Sequence, residues 1–214
     1  MNILISSIFW FVLAVVFACL EIEAEGKYGW AEKMPTWYRA NGFIARAYGV
    51  IMGGKPLTGY HSFMFFLPLL VFHSPFFQGV SWSMHKELMC FAMYFAWCPM
   101  WDFLWFVLNP NYTWKNFSKR NVWWHSKSIW IFGKIPTDYI LGWWLSLVVA
   151  VVATFWGPND VSIAENHIRV LGYFLALTII TITLAPLYHR WYRFMRKHDD
   201  RNVVKITHAL SPDA

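Results

Sequence analysis

The stretch LMCFAMYFAWCPMWDFLWFVL, from Leu88 to Leu108, decides the fold. It runs for 21 residues with one charge, Asp102. As a helix it would be about 30 Å long, which matches the hydrocarbon thickness of a bilayer. Lipid offers no partners to backbone N–H and C=O groups, so such a stretch must satisfy them internally as a helix. Four more runs of this kind lie at Ile3–Leu20, Tyr60–Val80, Tyr139–Trp156 and Ile168–Leu187. A closed β-barrel would need alternating segments of about ten residues. Leu145–Thr154 does not alternate. The expected fold is an all-α integral membrane protein, a small bundle of five transmembrane helices at about 3–20, 60–80, 88–108, 139–156 and 168–187.

Composition agrees. Of 214 residues, 57% are hydrophobic and only 14% charged, against about 25% charged in a typical soluble domain. The 18 Lys and Arg residues gather in alternate gaps. Glu21–Gly59 holds Lys27, Lys33, Arg39, Arg46 and Lys55, and Asn109–Asp138 holds Lys115, Lys119, Arg120, Lys127 and Lys134. The tail after Leu187 holds Arg190, Arg193, Arg196, Lys197, Arg201 and Lys205, whereas the other gaps hold only Lys86 and Arg169. Loops rich in Lys and Arg stay in the cytoplasm. This predicts an external N-terminus, a cytoplasmic C-terminus and a multi-pass protein of a cell membrane, with the bacterial inner (cytoplasmic) membrane as the expected site. We expect one transmembrane domain over 1–190 and a basic cytoplasmic tail over 191–214. The net charge of +6 flanks membrane helices, so membrane lipids are the expected partner and nucleic acid is not. Oligomerisation is compatible with the pattern.

The first run has no basic leader and no small-x-small site before Glu21–Glu25, so it reads as a retained helix and not as a signal peptide. Cys19, Cys90 and Cys98 lie inside apolar runs without C-x-x-C spacing. They read as small apolar side chains and not as a disulfide framework. The two basic loops are long and aromatic, with Trp30, Trp37 and Tyr38 in the first and Trp114, Trp123, Trp124 and Trp130 in the second. Trp and Tyr favour the headgroup layer. Within the first loop, Asn41–Met52 reads as an interfacial helix with Phe43, Ala47, Val50 and Ile51 towards lipid. Both cytoplasmic loops are thus expected to carry aromatic interfacial segments.

Orientation sorts the ionisable residues by depth. Glu21, Glu23 and Glu25 end the first run, His61 begins the second, and Asp102 lies about 9 Å short of the end of the third. His125 is in the second basic loop, Asp138 starts the fourth run and His189 ends the fifth. Acids and histidines from separate spans therefore meet at one level. A carboxylate amid apolar neighbours, such as Asp102, costs about 2.5–3.5 kcal/mol to insert and usually faces the protein interior with a partner. Glu21 and Glu25 are four apart and share a helix face. Acids at a helix C-terminus oppose its dipole, which argues for an offsetting cation. Taken singly, Asp138 reads as a helix N-cap and His189 as part of a basic aromatic anchor. His85, Glu87, Asp160, Glu165 and His167, on the far side, read as solvated turn residues, and His73 as the buried member of that set.

Carboxylates and imidazoles at one depth can bind a divalent metal such as Zn, Fe or Mn, or form an acid–base pair. The candidate metal ligands are Glu21, Glu25, His61, Asp102 and His125; Asp102, His61, Glu21 and Glu25 are also the candidate catalytic residues. The expected function is an intramembrane enzyme acting on a lipid or isoprenoid-like substrate, a hydrophobic small molecule, at the cytoplasmic leaflet. The alternative is an accessory membrane subunit that binds a pigment, haem or a partner membrane protein. A metal-ion or proton transporter fits less well, because Val148–Val152 and Ile179–Leu184 offer only threonines to a pathway. No H-x-x-x-H, H-E-x-x-H, G-x-S-x-G, P-loop or D-D-x-x-D motif occurs.

Overall fold

The computed structural model describes residues 2–112, 114–125, 127–157 and 162–200. Among them, five helices are long and apolar enough to cross a membrane. They are α1 (Ile3–Glu25), α3 (Gly59–Phe77), α4 (Met84–Leu108), α5 (Thr137–Trp156) and α6 (Ser162–Lys197); a short helix α2 (Phe43–Ile51) lies between α1 and α3. Asp160, Arg201, Lys205 and most of the expected tail lie outside the described residues.

The helix α4 is the axis of the bundle and packs against α1, α3, α5 and α6. Its sequence explains this. Ala92 and Ala96 are fully buried, and small residues four apart let a neighbouring helix approach closely. The neighbour is α5, which is bonded to α4 across the seam. Ser146 donates to the Ala92 carbonyl at 2.7 Å and the Trp143 indole to the Ala96 carbonyl at 3.1 Å. A Cβ at Gly142 would stand 2.7 Å from Pro99 Cγ, so α5 needs a glycine there. On its other sides α4 donates outwards. Trp97 gives its indole N–H to the Trp10 carbonyl of α1, and Tyr94 its hydroxyl to the Phe65 carbonyl of α3. Each of these bonds satisfies a polar group that lipid would leave unpaired.

Two short ladders close the long loops just before a membrane helix. β1 (Tyr38–Arg39) pairs antiparallel with β2 (Leu57–Thr58), directly ahead of α3. β3 (Trp130–Ile131) pairs with β4 (Ile135–Pro136), directly ahead of α5. Both loops therefore return to fixed starting points. On α2, Phe43 (84%) and Val50 (85%) are among the most exposed apolar side chains, with Ile44, Ala47 and Ile51 also exposed. Phe132, at the tip between β3 and β4, is 96% exposed.

Several expected boundaries shift. α1 does not stop at Leu20 but continues to Glu25, because Glu21, Ile22 and Glu25 lie on its packed face. Gly26, at φ 62°, then ends it. α3 closes three residues early, at Phe77, while α4 starts at Met84 instead of Leu88 and α5 two residues early at Thr137. α6 spans 36 residues and not the 20 from Ile168 to Leu187. Its first turns pack inwards, which overturns the reading of His167 as a solvated turn residue. His167 is buried, with Nε2 2.6 Å from the Ser146 hydroxyl of α5. Glu87 is likewise no free turn residue: its carboxylate takes His73 Nε2 at 3.1 Å and the Trp82 indole at 3.0 Å.

Candidate functional site

The last turn of α1 brings Glu21 and Glu25 to one buried face and leaves Glu23 exposed, as their four-residue spacing dictates. The chain then folds back through four residues of positive φ: Gly26 (62°), Gly29 (70°), Trp30 (44°) and Ala31 (54°). Two of these are not glycine, and such backbone is held only where surrounding contacts over-determine it. The turn has two consequences. The Ala31 N–H donates to Glu25 Oε1 at 2.5 Å. The Trp30 ring stacks on His61, with centroids 3.9 Å apart and planes 14° apart. Gly29 is required by a second contact, since a Cβ there would strike the Trp124 ring.

His61 enters from the first turn of α3. Thr58 caps this helix: its buried hydroxyl oxygen accepts from the His61 backbone N–H at 3.1 Å and lies 2.8 Å from His61 Nδ1. That contact fixes the ring and aims Nε2 at the acids. Nε2 stands 3.7 Å from Glu21 Oε1 and 3.6 Å from Glu25 Oε1, too far for a hydrogen bond with either. One ligand atom from each of these three buried residues lies within 4.8 Å of the others. The buried Trp101 indole lies beside Glu21, and its N–H makes no aligned hydrogen bond.

Asp102 and His125 form a second group. His125 Nε2 is 3.4 Å from Asp102 Oδ2 and Nδ1 is 3.2 Å from Asp138 Oδ2. The Tyr139 hydroxyl donates to Asp102, and Ser128 donates to Asp138 at 2.9 Å. The buried Lys55 Nζ lies 3.5 Å from Asp138 Oδ2 and 3.3 Å from His125 Nδ1. Burial pushes the Lys55 ammonium below the usual lysine range, and the charges of Asp102 and Asp138 pull it partly back. Lys55 also lies 5.2 Å from the Trp30 ring centroid. Trp30 thus touches both groups, with Lys55 near its ring and His61 stacked on it.

The structure brings Glu21, Glu25 and His61 together, and joins Asp102 to His125. It does not bring His189 into either group. His189 Nε2 donates to the Val107 carbonyl at 3.0 Å, at the end of α4. Asp138 is not the N-cap of α5: Pro136 holds that position with no side-chain cap bond, and the Asp138 carboxylate, in the first turn, holds Lys55, His125 and Ser128. Sequence reasoning passed over Lys55, Thr58, Trp30 and Tyr139. Lys55 was hidden among other basic loop residues; its setting between Gly53-Gly54 and Pro56-Leu57 was the available signal.

Charge is not balanced within the group. Four carboxylates (Glu21, Glu25, Asp102 and Asp138) share one paired ammonium, Lys55, among the described residues. Buried charge must be paired, protonated or coordinated. The Asp102 and Asp138 side chains are 32% and 30% exposed, so this end of the group reaches the surface of the bundle. No family model, curated protein or solved structure matches the chain.

Proposed function

We propose that this chain is an intramembrane enzyme that holds a divalent metal at Glu21, Glu25 and His61 and acts on a lipid or isoprenoid-like substrate. One observation carries the reading. Three buried ligand atoms converge within 4.8 Å, and none of the three closes on another as a hydrogen bond. Two ligands each about 2.1 Å from an ion stand about 3.0–3.6 Å apart at bond angles of about 90–120°. The His61–Glu spacings of 3.6 and 3.7 Å are close to the wide end of that range. An imidazole with two carboxylates suits Zn, Fe or Mn. Such an ion supplies Lewis acidity and acidifies a bound water.

The protein's own residues supply the rest. Thr58 orients His61, as partners of metal-binding histidines do. The Ala31 N–H positions Glu25. Asp102, partly exposed, and Tyr139 share one hydrogen-bonded proton and can hold a polar group of a substrate. Phe65 and Trp101, edge to face at 5.5 Å, flank the group with apolar surface. A lipid would enter laterally, past the partly exposed Asp102 and Asp138. The distribution of Lys and Arg supports the cytoplasmic leaflet, and we take the bacterial inner membrane as the host. Exposed Phe43, Val50 and Phe132 suit the interfacial seat of the two loops.

The test is purification in mild detergent followed by metal analysis and mass spectrometry of lipids incubated with the loaded protein. The reading expects a stoichiometric metal that is lost in His61→Ala, and a lipid mass change that is lost with it. A protein that carries no metal after loading with Zn, Fe or Mn, and leaves a membrane lipid extract unchanged, overturns it.

A further inference from the structure

We propose a second metal position between His125 Nε2 and Asp102, so that the chain binds two divalent ions and not one. The inference rests on the metal reading of Glu21, Glu25 and His61, and extends it to a separate pair of residues. The two histidines are built alike. In each, Nδ1 is held from behind, by Thr58 for His61 and by Asp138 for His125. In each, Nε2 faces carboxylate oxygen without an aligned hydrogen bond. For His125 this is the sharper case. Its side chain is 2% exposed, and Nε2 is buried without a hydrogen-bond partner among the described residues. A buried polar atom in that state needs an explanation.

The local geometry supplies one. Asp138 is the strongest acceptor near Nδ1. It already takes the Ser128 hydroxyl and pairs with Lys55, so it is held as a carboxylate. Nδ1 faces that carboxylate at 3.2 Å, and Nε2 points away from it. Nε2 faces Asp102 Oδ2, 3.4 Å away. Two ligands about 2.1 Å from a common ion at a near-tetrahedral angle stand about 3.4 Å apart. Carboxylate–histidine–metal order is the usual arrangement for such a ligand. None of the remaining described groups that face His125 hydrogen-bonds Nε2. Lys55 lies on the Nδ1 side at 3.3 Å, Trp130 donates to the His125 backbone carbonyl, and Tyr139 donates to Asp102. Asp102 is also within charge–charge reach of Glu21 and Glu25, so a second cation near it would offset repulsion on both sides.

The experiment loads the full-length protein in detergent with Mn²⁺, removes excess ion, and counts bound manganese by elemental analysis. Wild type should hold two per chain. His125→Gln and Asp102→Asn should each hold one, and His61→Ala should keep the ion at His125. One ion per chain in wild type, lost in His61→Ala and unchanged in His125→Gln, overturns the second position and leaves the first standing. No ion in wild type overturns both. The wild-type count is decisive by itself if a variant does not fold.

Discussion

Thr58→Val is the sharpest perturbation of the site from outside it. Valine has the volume of threonine, so no cavity forms. What is lost is one oxygen, which accepts from the His61 backbone N–H at 3.1 Å and touches His61 Nδ1 at 2.8 Å. Loss of the cap costs about 1 kcal/mol. A buried nitrogen left unpaired costs about 1–3 kcal/mol more. The apoprotein should therefore unfold about 2–4 kcal/mol more easily. Metal affinity should fall about 10–100-fold, as for other partners behind a metal-binding histidine, or about 1.4–2.8 kcal/mol. The assay is a manganese titration in detergent, with thermal unfolding followed with and without a chelator. Thr58→Ser, which restores the oxygen, should recover most of both losses. Metal affinity unchanged in Thr58→Val would refute the claim that Thr58 aims His61 at an ion.

Three further outcomes follow from the same geometry. Gly142→Val forces side-chain atoms into Pro99 on the α4–α5 seam and should cost about 1–3 kcal/mol, read as a lower midpoint in detergent thermal unfolding; an unchanged midpoint contradicts the seam. Lys55 binds its proton less tightly in the fold than in the unfolded chain, so below about 10.5 the unfolded state holds more protons and stability rises with pH. Wild type should therefore gain stability relative to Lys55→Met as pH is raised towards about 10, and a falling difference would be against it. A nitroxide at Val50→Cys should be relaxed more by oxygen than by a water-soluble nickel chelate in bilayers, because the exposed face of α2 is apolar; the reverse order removes α2 from the interface.

The spans were legible because a bilayer imposes one length and one polarity on them. Their ends were not. Glu21 and Glu25 ended the apolar run by hydropathy, yet α1 goes on through both, since packing and not polarity decides where that helix stops. The same cause hid the first turns of α6, where His167 looks solvated in sequence and is buried in the fold. The convergence of Glu21, Glu25 and His61 was legible from depth alone. Its division into two groups was not, because depth carries no information about azimuth around the bundle. Lys55 and Trp30 reach the site through loop turns of positive φ, and only glycines mark those turns in a sequence.

The central claim is that the buried carboxylates and His61 share an ion. X-ray absorption at the edge of the bound metal tests it most directly. The account predicts nitrogen and oxygen neighbours at about 2.0–2.2 Å, an imidazole scattering pattern, and loss of that pattern in His61→Ala. A spectrum of water ligands only, the same in wild type and His61→Ala, would contradict it.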